Sequence, residues 1–262
     1  MGHQRLGKLP AYRLLPDIIK YLVSGGVPTA DLVQQVTVFT QTALTAALKD
    51  PGFNEALWLL VRIPEAAGTS NFAQALQDLG LPVTGPPLLP DLLVAYDKAL
   101  EKVQRHAQSD LTDLGQMGRH AALAALAETV QDRLPGLWAP TPEDVRASVS
   151  RLQDPVQFAA MAHLFYAKFI ERSVHYFIDR DLHRLVGQGR TVKSIYDLAW
   201  FETAIRRHCH EAAMIMRGFA RDWLAKQRYG SKKAIKRPDM LNFSSYAVQK
   251  LRNELSARIG LT

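Results

Sequence analysis

Apolar residues recur at intervals of three and four along most of the chain, which is the spacing of an amphipathic α-helix. One such segment begins after Pro28 and continues through Leu32, Phe39 and Ala47 until Asp50-Pro51-Gly52 interrupts it. No stretch alternates apolar and polar residues over the length of a typical β-strand. The pattern therefore predicts an all-α fold, a multi-helix bundle with a long antiparallel helical hairpin in its C-terminal half.

Capping and helix-breaking residues mark further helices in the first half of the chain. Short helices are predicted over residues 53–62 and 70–79, the second with Ser70 as its N-cap. The proline-rich segment 81–90 predicts a linker or a tight corner, because proline ends regular helices. Longer helices are expected after it, over residues 90–108 and 109–134.

A boundary between two parts of the chain is predicted after these helices. Pro135 and Gly136 end the helical pattern, and Thr141 with Pro142 has the residue types of an N-cap and a first helical position. We therefore expect an N-terminal helical bundle of residues 1–136 and a C-terminal part of residues 137–262. The sequence does not decide whether these two parts are separate domains or pack as one domain.

The C-terminal part is dominated by two long helical patterns, residues 155–186 and 192–229. The short connection Gly187-Gln188-Gly189-Arg190 favours an antiparallel hairpin. A polar, basic stretch follows Gly230, and it is expected to be mobile without a partner. A last helix is predicted from Ser244 to Ile259.

Positive charge is concentrated in the second half. The 262 residues carry a net charge of +7, yet residues 1–150 hold 12 Lys and Arg against 15 Asp and Glu, whereas residues 151–262 hold 20 against 10. From Arg217 to the last residue the ratio is 11 to 3. Such a surface attracts polyanions or an acidic protein.

The basic region supplies the candidate binding residues. Cations neutralise phosphates, and aromatic rings such as Tyr229, Phe243 and Tyr246 stack on the bases of single strands. The candidate nucleic-acid-binding residues are Arg217, Arg221, Lys226, Arg228, Tyr229, Lys232, Lys233, Lys236, Arg237, Lys250 and Arg252. An acidic protein surface, within a larger assembly, is the alternative partner, because none of the established nucleic-acid-binding motifs is present.

A row of polar residues on the first hairpin arm indicates a second hypothesis, a helical metal-dependent enzyme. Glu171 is followed by further polar residues at intervals of four, and Glu202 interrupts the apolar seam of the second arm. If the arms pack against each other, a set suited to a divalent metal ion forms: His175, Asp179, Glu202 and His208. The simpler interpretation is a solvated polar face with an ordinary Glu202–Arg206 ion pair.

Established catalytic signatures are absent from the sequence. It contains no phosphate-binding GxxxxGK[ST] loop, no GxSxG turn and no HExxH pair, and its single cysteine, Cys209, excludes an internal disulfide. We therefore expect a non-enzymatic subunit without a cofactor. We also expect a cytoplasmic location and no membrane span.

Overall fold

The regular structure of the chain is helical. The computed structural model describes residues 40–107, 112–182, 203, 206–231 and 234–259, and no strand occurs among them, which confirms the all-α class. The helices are α1 (residues 40–47), α2 (Pro51–Ala67), α3 (Phe72–Asp78), α4 (Leu89–Ala107), α5 (Asp113–Gln131), α6 (Pro142–Ser150), α7 (Pro155–Leu182), α8 (residues 206–212), α9 (Ile215–Ala225) and α10 (Arg237–Ile259). A 3₁₀ turn, Arg151–Gln153, precedes α7, and a π-helical turn, Lys226–Ser231, follows α9.

Side-chain caps fix where several helices begin. The predicted N-cap Thr141 is confirmed, because its hydroxyl accepts from the Asp144 N–H while the Asp144 carboxylate accepts from the Thr141 N–H. These hydrogen bonds lower the pKa of the Asp144 carboxyl group. The predicted cap Ser70 is wrong: the N-cap of α3 is the next residue, Asn71, whose side chain accepts from the Gln74 N–H.

Two helices are longer than the sequence predicts. Helix α2 continues past Arg62 to Ala67 and contains Pro64, because its last turns are buried in the core. Helix α10 begins at Arg237 rather than Ser244, so part of the stretch expected to be mobile is helical. Its start is capped by the Asp239 carboxylate, which accepts from the Lys236 N–H at 2.8 Å.

The second arm of the predicted hairpin is also not one continuous helix. A turn at Ala213 and Met214 separates α8 from α9, and the π-helical turn ends α9. Contacts with α7 nevertheless run antiparallel, from Glu171–Arg206 near one end to Phe158–Trp223 near the other. The connecting residues 187–190 lie outside the described part of the chain.

Helix α7 lies at the centre of the molecule. One aromatic cluster joins it to α2, where Phe53 lies 5.5 Å from Phe165 and 4.8 Å from Phe169 between ring centroids. A second joins it to α9 and α10, where Phe243 lies 6.0 Å from Phe158 and 4.6 Å from Trp223. Residues on both sides of position 136 thus share one buried hydrophobic cluster.

A small polar network is buried where the N-termini of α2 and α5 meet. The Asp50 carboxylate accepts hydrogen bonds from the Phe53 N–H and from the Thr112 hydroxyl. The Gln104 side chain fills the remaining space, and its amide has no hydrogen-bond partner. A Cβ atom on Gly115 would lie 2.2 Å from the Gln104 amide nitrogen, so this position has room only for glycine.

Replacing Gly115 with alanine should therefore destabilise the fold. The added methyl group must displace the buried Gln104 amide, and overpacking of this kind costs about 1–3 kcal/mol. Urea unfolding should show a lower midpoint for Gly115→Ala. Gly218→Ala in α9 is the matched control, since nothing lies within 4 Å of its added Cβ, and an exposed helical glycine gains about 0.5–1 kcal/mol on becoming alanine. Equal shifts for both variants would contradict the crowding at Gly115.

Candidate polyanion-binding surface

The predicted binding residues lie on α9, the π-helical turn and α10, which we call the C-terminal basic surface. Lys232 and Lys233 are outside the described residues. The structure separates the others into side chains that make contacts within the fold and side chains that make none. This distinction decides which of them can contact a partner.

Arg237 belongs to the first group. Its guanidinium donates two hydrogen bonds to the Glu55 carboxylate on α2, one at 2.9 Å from Nη2 to Oε1, and lies 5.0 Å from the ring centroid of Trp58. The Glu55 side chain is only 7% exposed. A buried carboxylate needs such a partner, because an unpaired charge is costly to bury. Arg237 therefore fastens α10 to α2.

Arg217 is held by a buried histidine. His163 on α7 is fully buried, and its Nε2 hydrogen bonds with the His210 carbonyl oxygen at 2.9 Å. This contact requires the proton on Nε2, so that Nδ1 is left to accept from Arg217 Nε at 3.3 Å. Burial lowers the pKa of His163, and the positive Arg217 lowers it further. The imidazole is therefore neutral at pH 7.

Two further predicted residues make weaker contacts within the chain. Arg228 donates from Nη2 to the Gln153 side-chain oxygen at 2.9 Å, and Gln153 donates in turn to the Pro64 carbonyl oxygen. Arg221 lies 3.0 Å from the carboxylate of its neighbour Asp222. Only the Arg228 contact reaches another helical element, since Arg221 and Asp222 are neighbours and both exposed.

The remaining predicted residues point into solvent. Tyr229 is 73% exposed, and Tyr246, an aromatic residue of the same region, is 60% exposed. Phe243, expected to stack on bases, is instead fully buried in the aromatic cluster. Among these remaining predicted residues, the exposed cations that form no salt bridge with the described part of the chain are Lys226, Lys236, Lys250 and Arg252.

Helix α10 presents a face without negative charge. Its two carboxylate residues, Asp239 and Glu254, are half-buried and do not belong to the exposed set. From Leu241 to Ser256, the exposed side chains are amides, hydroxyls, cations, one aliphatic residue and one aromatic ring: Leu241, Asn242, Ser245, Tyr246, Gln249, Lys250, Arg252, Asn253 and Ser256. This face can donate many hydrogen bonds, and no carboxylate is among its exposed side chains.

The polar row on α7 lies in a groove of about 510 Å³, which we call the α7 groove. Its floor and rim come from α7, with Glu128 of α5 on one side and α8 on the other. The lining residues are Glu128, Leu164, Ala167, Lys168, Glu171, Arg172, His175, Arg206 and His210. Glu171 pairs with Arg206 at 3.3 Å, and Lys168 pairs with Glu128 at 2.7 Å.

The predicted metal ligands are only partly within the described residues. His175 lines the α7 groove and His208 is half-buried on α8, whereas the Asp179 side chain and Glu202 lie outside the description. Across the described residues, no group of three or more His, Cys, Asp or Glu side chains is placed to hold a metal ion. Cys209 is buried, and burial raises the pKa of its thiol.

Removing the Arg237 side chain should destabilise the protein. Arg237→Ala leaves the buried Glu55 carboxylate without its partner, which costs about 1–3 kcal/mol, and we expect the lower part of that range because Arg237 is 59% exposed. Chemical denaturation measures the loss. Lys236→Ala, an adjacent exposed cation, is the control and should leave stability unchanged. Glu55→Gln should recover part of the loss in the Arg237→Ala background, and no recovery would contradict the pairing.

Stability should fall as the pH is lowered below about 6.5, the unfolded-state value of histidine. The pKa of His163 is lowered in the folded state, so the unfolded chain binds the proton first and is favoured by acid. Each such histidine changes the free energy of unfolding by at most about 1.4 kcal/mol per pH unit. Unfolding between pH 5 and 7 tests this.

In the same measurement, His163→Gln should flatten the dependence of the unfolding free energy on pH. His120, whose pKa is also lowered by partial burial and then by Arg172 and Arg119, keeps part of that dependence in the variant. An unchanged slope in His163→Gln would contradict the neutral, hydrogen-bonded imidazole.

The function has to be argued from these structural features, because comparison with known proteins adds none. Among the described residues, no helix has the length and apolar character needed to cross a bilayer. The chain was compared with protein-family models, with curated proteins and with solved structures, and none of the three comparisons gave a match.

Proposed function

We propose that this protein is a non-enzymatic helical subunit that binds single-stranded nucleic acid through its C-terminal basic surface. The observation that carries the proposal is the exposed face of α10, which combines cations, amides and an exposed tyrosine and has no exposed carboxylate. An acidic protein partner is the alternative occupant of the same surface.

Unpaired cations supply the affinity in this proposal. Lys226, Lys236, Lys250 and Arg252 are exposed and form no salt bridge with the described residues, so a phosphate does not have to displace a carboxylate. Each phosphate contact releases condensed counterions, which makes binding weaken with salt. The salt dependence of binding therefore reports the number of contacts.

Exposed tyrosines favour nucleic acid over an acidic protein. Tyr246 shares one stripe of α10 with Asn242, Gln249, Lys250 and Asn253, because these positions differ by three, four or seven residues. A tyrosine ring stacks on any base, and the amides hydrogen bond to base edges or to sugar hydroxyls. An acidic protein surface would require cations but not this combination.

The arginines that hold the fold together also support the proposed surface. Arg237 fixes the start of α10 against α2, while Phe243 fixes its middle against Trp223. The exposed stripe of α10 is thereby presented on a rigid element. Pre-organisation of this kind reduces the entropy lost on binding.

The test is a salt titration of binding to a labelled single-stranded oligonucleotide. The triple variant Lys226→Ala, Lys236→Ala, Lys250→Ala should bind more weakly, and its slope of log K against log salt should be shallower by about 2, since each contact contributes about 0.7 on single strands. The matched control, Lys49→Ala, Lys98→Ala, Lys102→Ala, removes the same charge from exposed positions in the first half of the chain. It should keep the wild-type slope.

The aromatic contribution is tested in the same assay. Tyr246→Ala should lose affinity without changing the salt slope, because stacking contributes about 1–3 kcal/mol per base, and Tyr246→Phe should retain it. Equal losses in the two lysine variants would mean that net charge alone drives binding. Absence of binding at low salt would overturn the proposal and favour an acidic protein partner.

A further inference from the structure

The α7 groove contains more positive charge than its own carboxylates neutralise. Glu128 is paired with Lys168 at 2.7 Å, and Glu171 is paired with Arg206 at 3.3 Å. Arg172 remains as a third cation that forms no salt bridge with the described residues. Two histidines, His175 and His210, also line the groove.

Arg172 is also incompletely hydrogen bonded. Its Nε atom is buried and has no hydrogen-bond partner among the described residues. The protein encloses Nε, so a ligand in the groove would be met by the terminal nitrogens of the guanidinium, which make no hydrogen bond to a described residue. A guanidinium offers a fork of donors that matches the oxygens of a phosphate or a carboxylate.

The size and floor of the groove indicate more than a free ion. Its volume of about 510 Å³ lies in the range of small-molecule sites. Leu164 and Ala167 contribute apolar surface beside the charged side chains. A ligand with an anionic head and an organic body would use both parts of this lining.

We propose that the α7 groove binds a small phosphomonoester about the size of a nucleotide, with Arg172 as its main phosphate contact. The exposed Arg206 side chain can turn from Glu171 to the phosphate, since an ion pair of an exposed arginine is weak. A phosphomonoester carries two negative charges on its phosphate, whereas a carboxylate carries one. Several cations in one groove therefore suit a phosphomonoester better than they suit a carboxylate. This site is separate from the C-terminal basic surface, and neither proposal depends on the other.

The experiment is isothermal titration calorimetry of the full chain with AMP and glucose 6-phosphate, compared with adenosine and glucose. We expect the phosphorylated compounds to bind and their parents not to bind. Arg172→Gln should weaken binding about tenfold or more, because hydrogen bonds to charged groups contribute at least that much. Arg207→Gln is the matched control, since Arg207 is exposed, follows Arg206 and does not line the groove.

A second variant separates binding from folding. Glu128→Gln removes a carboxylate from the groove and releases Lys168, so it should tighten phosphomonoester binding severalfold, which a defect in folding would not do. Thermal unfolding of Arg172→Gln should match that of the wild type, because Arg172 forms no ion pair in the described structure.

A third set of binding measurements distinguishes a free phosphorylated metabolite from the 5′-phosphate of a nucleic-acid strand. Oligonucleotides with and without a 5′-phosphate are compared in the wild type and in Arg172→Gln. A gain from the 5′-phosphate that disappears in Arg172→Gln assigns the site to the end of a strand, and no gain assigns it to a free metabolite. The proposal is overturned if neither phosphomonoester nor 5′-phosphate binds, or if Arg172→Gln binds them as the wild type does.

Discussion

The burial of α7 between neighbouring helices is the constraint on which the rest of the structure depends. Phe165 and Phe169 face α2, while Phe158 contacts Trp223 of α9 and Phe243 of α10. With α5 on one side and α8 and α9 on the other, only a narrow stripe of α7 reaches the surface. That stripe carries the polar residues of α7, together with Leu164, and the helices beside it form the walls of a groove. The α7 groove is therefore a consequence of how the core is closed.

The same packing divides the basic residues into two groups. Arg237 and Arg217 are used within the fold, against Glu55 and His163, where they satisfy groups that burial would otherwise leave unpaired. Lys250 and Arg252 lie on the outer side of α10, where nothing in the described chain neutralises them. A count of positive charge in the sequence overstates the binding surface, because it includes residues that stabilise the protein.

Local signals made part of the fold predictable. Thr141 and Pro142 define a helix start by their own chemistry, so that start was predicted correctly. The extension of α2 through Pro64 was not predicted, because it depends on burial against distant residues. The start of α10 at Arg237 could have been found from Pro238 and Asp239, which are typical of a first helical turn. On α7, the spacing placed Glu171 and His175 on one face, but the pairing of Glu171 with Arg206 required three dimensions.

That pairing bears on the choice between a cation and an anion in the α7 groove. A divalent metal ion needs free carboxylates, whereas Glu171 and Glu128 are each already within 4 Å of a cation. Arg172 adds a fixed positive charge, which would raise the cost of bringing a metal ion nearby. An anion would instead be attracted by the Arg172 guanidinium, which has no salt bridge among the described residues. Arg206 could also turn toward the anion, because the ion pair of an exposed arginine is weak. The described part of the groove therefore favours phosphate, which Arg172 and Arg206 would contact from its lining.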